Sequence, residues 1–152
     1  MSQHDARPED LLPELASNHS LKAADVACTI AAGLKAQVIL LCVVKPQELP
    51  KGLRDYANLE HISGLDIDIL LKVAGDLVSN TEKSARKMGV DDVIGEVKEG
   101  PVARTIIARA EHHDVNMIVV GSRGLGNIEA TLRGGVSHRV ELLAKCSVLT
   151  VK

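Results

Sequence analysis

The chain has 152 residues, 45% of them hydrophobic, with 18 lysines and arginines against 20 acids for a net charge of −2. This is the length of one domain, residues 1–152, with enough apolar material to bury a core, which excludes a disordered chain. The balanced charge excludes a basic nucleic-acid groove, and one Tyr with no Phe or Trp removes the stacking platform that single strands need.

The longest purely apolar run, 38–44, is too short to span a bilayer, so no membrane partner is expected. Residues 1–10 are polar and lack the apolar core of a signal peptide, so a cytoplasmic location is expected. Cys28, Cys42 and Cys146 are scattered without metal-site spacing. Each is expected to act as a small buried apolar residue.

In chain order, strand and helix signals alternate. Residues 10–15 stand where a first strand is expected, yet they hold two acids, Pro13 and no β-branched residue. Ala23, Val26, Ala27, Ile30, Ala31 and Leu34 follow helical spacing, with Ser17, Asn18 or Ser20 as cap and Gly33 near the end. Residues 38–44 form a β-branched run that reads as a strand buried on both faces. Residues 45–63 carry Pro46, Pro50 and Gly52 and read mostly as loop. Leu70, Val73, Ala74, Leu77, Val78 and Ala85 line a second helix stopped by Gly89. A short strand over 92–97 follows. Gly100-Pro101 then opens a third helix with Ala103, Ile106, Ile107 and Ala110 on its inner face. A strand over 116–120 runs into glycines, Val136, Val140 and Leu143 mark a fourth helix, and 148–151 is a last strand. Such strand–helix–strand repetition implies an α/β fold, a parallel sheet with helices on both faces. Ligands of such sheets bind at the carboxyl ends of the strands.

The glycine loop sits at one of those ends. Val119-Val120-Gly121-Ser122-Arg123-Gly124 closes a strand, and Gly134-Gly135-Val136-Ser137 opens a helix. Glycines let backbone N–H groups converge, and a helix start adds free donors and partial positive charge. Together these suit a phosphate. The plain alternative is a tight turn in a ligand-free scaffold. Arg123 has the same two readings, phosphate partner or solvated loop charge. No Lys follows the glycines as in a Walker A loop, and the third glycine of a dinucleotide fingerprint is missing.

These residues resemble the universal stress protein family, whose signature is Gly, two residues, Gly, nine residues, Gly, then Ser or Thr. Gly121, Gly124 and Gly134 match that spacing, and the likeness runs from about Leu11 to Lys152. The resemblance implies a three-layer α/β/α Rossmann-like open parallel sheet of five strands in the order 3-2-1-4-5. It also implies an adenine nucleotide such as ATP, with Mg²⁺ as a companion ion, bound for stress signalling through a partner not identified by the residues. The adenine would lie against Pro13, Leu15 and Val43. The phosphates would lie on Gly121, Arg123 and Gly124 and on Gly134, Gly135, Val136 and Ser137. Pairing of the last strand across a two-fold axis would make a homodimer.

Two positions depart from the nucleotide-binding pattern. Leu15 stands where binders carry Asp, so a hydrogen-bond acceptor near base and ribose is lost, along with an oxygen ligand of the kind Mg²⁺ needs. Gly135 replaces the Ser or Thr after the third glycine, and Ser137 could replace its hydroxyl in part. The second reading is therefore a nucleotide-free homodimeric interaction module of the same fold. His112 and His113, adjacent at a helix end, read as a favourable end charge, not a metal site. Asp66, Asp68, Asp91 and Asp92 read as solvated acids. No catalytic set emerges; at most a slow ATPase is conceivable.

Overall fold

A computed structural model describes residues 18–45, 54–55, 58–61, 66–122 and 135–152. Helices and strands alternate through them: α1 (Asn18–Leu34), β1 (Val38–Val44), α2 (Asp66–Lys87), β2 (Val93–Glu99), α3 (Val102–His112), β3 (Met117–Gly121), α4 (Gly135–Leu143) and β4 (Ser147–Val151). The strands pair in parallel as β1 with β2 and β3 with β4, two two-stranded sheets among the described residues. The described residues thus supply four strands in two pairs and not the whole of the expected five-stranded sheet. The segment expected to supply its first strand, around Pro13 and Leu15, lies outside the described residues.

The pairings follow from sequence. β1 carries the β-branched run, aligned from Val38 opposite Val93 to Val44 opposite Glu99. α2 covers this pair with Ile69, Leu70, Val73, Ala74, Leu77, Val78 and Ala85, all buried. Its ends suit its dipole, with Asp66 and Asp68 in the first turn and Arg86 and Lys87 in the last. Asp66 is also held by Arg54 at 3.1 Å, so it is more than a solvated acid. Gly95 admits α2 closely: a Cβ there would meet Val78 at 2.5 Å and collide with Glu82.

Three helices stop in the same way. Val90 N–H donates to Ala85 C=O, Ala36 N–H to Ala31 C=O, and Val115 N–H to Ala110 C=O. Each bond spans a residue with positive φ: Gly89 at 97°, Lys35 at 53° and Asp114 at 50°. The first helix therefore ends at Leu34, with Lys35 in the left-handed position, and Gly33 lies near that end as expected. Leu34, expected on the inner face, is 74% exposed, and Leu143 of α4 is 51% exposed. Both sit in a last turn that has rotated past the buried stripe. Pro101 is the N-cap of α3, one residue earlier than a first helical position.

Small residues Ala23, Cys28 and Ala31 form the buried face of α1, which packs on β1, β3 and β4. One core joins α1, α2, β1 and β2 around Cys28, Leu40, Val78 and Val93. Another joins α3, β3 and α4 around Ala103, Ile118 and Val140. The expected inner residues Ile106, Ile107 and Ala110 pack half-buried against it.

An ionic triad fastens α3 to β2. Arg109 donates from Nε to Glu96 Oε2 at 2.8 Å and from Nη2 to Glu96 Oε1 at 2.7 Å. His113 Nε2 reaches the same Oε1 at 2.7 Å. His113 thus has a specific partner and is more than a helix-end charge. The Arg109 hydrogen bonds, joined by that of His113, hold Glu96 at about 2 against an ordinary 4.5, although burial opposes them. The folded value is the depressed one, so the triad's stabilisation is complete above about 4.5 and is lost as pH falls toward about 2. Wild type should therefore melt above Glu96→Gln at neutral pH, and the gap should close across that window. Melts at stepped pH check this; a constant gap would show that the charge of Glu96 does not matter.

Candidate functional site

The carboxyl ends of β1, β3 and β4, with the start of α4, form the candidate site. β3 ends at Gly121, where nothing larger fits. A Cβ there would stand 2.6 Å from His19 C and 2.7 Å from Ser20 N, the backbone of the first turn of α1. Ser122 extends the β3–β4 ladder, its N–H donating to Val151 C=O at 2.8 Å. Its Oγ lies 2.6 Å from His19 Nδ1. The head of the glycine loop is thus held by α1 and β4 together.

Val43 is half-buried near the end of β1, opposite Lys98. The next residue, Val44, accepts from Gly100 N–H at 3.0 Å, which closes that strand end. At α4, Gly135 is exposed and a Cβ on it would meet nothing within 4 Å. Val136 packs against the same core as Val120, the last residue before Gly121. Ser137 is 7% exposed. The start of a nine-residue helix carries N–H groups that the helix itself does not bond, and with them partial positive charge.

Of the residues expected to bind, Val43, Gly121, Gly135, Val136 and Ser137 are therefore placed. Pro13, Leu15, Arg123, Gly124 and Gly134 lie outside the described residues. His19 is a site residue that the sequence reading missed. The only signal for it was its place among Ser17, Asn18 and Ser20, where capping residues drew the attention.

The chemistry available is hydrogen-bond donation. Among the described residues no three His, Cys, Asp or Glu side chains gather as a metal site. Burial pushes the Cys28 and Cys42 thiols up from their ordinary value, so neither is a ready nucleophile. Cys28 is fully buried, as expected, while Cys42 and Cys146 are half-buried and pack against the cores. No helix among the described residues is long and apolar enough to cross a membrane.

Known proteins resemble this chain over most of its length. Residues 12–152 match the model of the universal stress protein family. Universal stress protein MJ0531 of Methanocaldococcus jannaschii is 32% identical over 142 residues, which cover 93% of this chain and 80% of that protein. Universal stress protein YxiE of Bacillus subtilis is 30% identical over 141 residues, 90% of this chain and 93% of that one. Among solved structures, universal stress protein UspA from Lactobacillus plantarum aligns with a TM-score of 0.71 at 20% identity, covering 89% of this chain and 90% of that one. A universal stress protein in complex with cAMP aligns with a TM-score of 0.61 at 24% identity, covering 89% and 88%. These structures share the α/β fold seen here. The chain belongs to the universal stress protein family.

Proposed function

We propose that this protein binds an adenine nucleotide, ATP or a close relative, and that its bound state serves stress signalling through a partner. The observation that carries the reading is that a strand end, Gly121-Ser122, and a helix start at Gly135 pack on one core through Val120 and Val136. Phosphate oxygens need N–H and O–H donors, and these elements supply them. Arg123, Gly124 and Gly134 would complete the cradle from the loop. Val43 would give the adenine an apolar wall, with Pro13 and Leu15 facing it from a central first strand in the order 3-2-1-4-5. A relative solved with cAMP supports adenine as the class of base. Native mass spectrometry of the purified protein tests the reading. Co-purifying adenine nucleotide is the expected result. A bare protein that also gives no heat with millimolar ATP would overturn it.

A second reading is a homodimeric module, favoured by β4. Among the described residues β4 pairs only with β3, which leaves its other edge open. Val151 C=O faces β3, since it accepts from Ser122. By the alternation of a strand, Leu149 faces β3 too, while Val148 and Thr150 point their N–H groups to the open edge. Two copies pairing there would join their sheets. Sedimentation equilibrium should find a dimer at tens of micromolar and a monomer for Thr150→Pro, which removes one edge donor. A wild-type monomer at that concentration would sink the dimer.

A further inference from the structure

The hydroxyl of Ser122 is fixed from three elements. β3 carries it, β4 holds its backbone N–H through Val151 C=O at 2.8 Å, and α1 supplies His19 Nδ1 at 2.6 Å from Oγ. The backbone of α1 presses on Gly121 next door, so the pair has little room to part. What the geometry leaves open is which atom owns the proton.

With a bare Nδ1, the Ser122 hydroxyl donates to His19 and offers only lone pairs to the loop. That arrangement repels an anion. With a proton on Nδ1, the ring donates to Oγ and the hydroxyl proton is released for an acceptor beside the hydroxyl. An anion there favours the second arrangement, and most of all the doubly protonated, positively charged ring. The elements packed against α1 are β1, β3, β4 and α2. Among the described residues none of them brings a carboxylate within ion-pair distance of His19, whose one hydrogen-bond partner there is Ser122. No fixed acid therefore answers the charge of the ring before a ligand arrives.

We propose that His19 and Ser122 form a proton-linked phosphate contact at the head of the glycine loop. A nucleotide phosphate binds with His19 protonated, Nδ1–H donating to Ser122 Oγ and the Ser122 hydroxyl donating to the phosphate. The inference rests on the nucleotide reading and adds a regulation to it: the site takes up a proton as it fills, and its affinity rises as pH falls. His19 acts through Ser122 and is a positioning residue.

Calorimetry of the full chain with ATP, in buffers of different ionisation enthalpy, reads proton uptake directly. Wild type is compared with His19→Asn and Ser122→Ala, each checked for a wild-type melt. Titration of ATP itself is common to all three and cancels. His19→Asn keeps a hydrogen-bonding amide near the position of Nδ1 but cannot titrate. Wild type should take up a fraction of a proton more than His19→Asn, at most one per site. Its Kd should weaken from about pH 6 to about pH 8 more steeply than that of His19→Asn, with ~tenfold per pH unit as the ceiling for one proton. Ser122→Ala should lose about tenfold in affinity together with the extra proton. Equal proton uptake in wild type and His19→Asn would overturn the pair and leave the nucleotide reading standing. If His19→Asn does not fold, equal uptake in wild type and Ser122→Ala overturns it in the same way. ATP that gives no heat at any pH would overturn both.

Discussion

Gly121→Ala is expected to cost about 3 kcal/mol and to lower the melting temperature by roughly 6–12 °C. The added methyl would stand 2.6 and 2.7 Å from backbone atoms of His19 and Ser20. Backbone cannot swing aside as a flexible side chain can. The first turn of α1 would have to lift, and α1 packs on β1, β3 and β4. Gly135→Ala, at the start of α4, is the control. Its methyl meets nothing within 4 Å and lies in a helix, so it should be neutral or add about 0.5–1 kcal/mol. Calorimetric melts of the two variants settle the contrast. If Gly121→Ala melts with wild type, the close approach of α1 is not what requires glycine there. The two glycines thus differ in kind. Gly121 is required by packing, whereas Gly135 stands where the signature has Ser or Thr, and among the described residues nothing lies within 4 Å of a Cβ placed there.

The strands and α2 were legible because burial leaves a pattern. A run such as 38–44 is apolar on both faces, and the stripe from Leu70 to Ala85 repeats at helical spacing. Helix ends were less legible. Gly89 announced the stop of α2, but Lys35 and Asp114 hold the same left-handed position without a glycine to mark it. The triad was invisible for a related reason. Glu96 lies 13 residues before Arg109 and 17 before His113, and only the turn from β2 into α3 folds that separation away. Along α3 alone, Arg109 and His113 look like end charges. In the candidate site, the glycine spacing marked the end of β3 and the start of α4. It could not show that α1 lies on Gly121, because that contact joins residues about a hundred positions apart.

Leu15→Asp is expected to tighten ATP binding by tenfold to a hundredfold. Leu15 offers no hydrogen-bond acceptor, so in the proposed binding mode base and ribose groups placed beside it would lose their bonds to water and gain nothing. A carboxylate accepting such a bond contributes about 1.5–3 kcal/mol, which sets the range. An acid would also give Mg²⁺ an oxygen ligand, so the gain should be larger with the ion than without it. Gly135→Ser restores the other missing group. Among the described residues nothing lies within 4 Å of a Cβ at that position, and Ser suits a helix start. It should add a smaller gain, about tenfold at most, because a neutral hydroxyl contributes less than a charged acceptor. In the proposed binding mode the two positions serve opposite ends of the nucleotide, so their effects should add. Titration of wild type, both single variants and the double variant with ATP measures all of this. Wild type that already binds tightly, with no change on Leu15→Asp, would show that the base is held by other groups and that the apolar residue costs the site nothing.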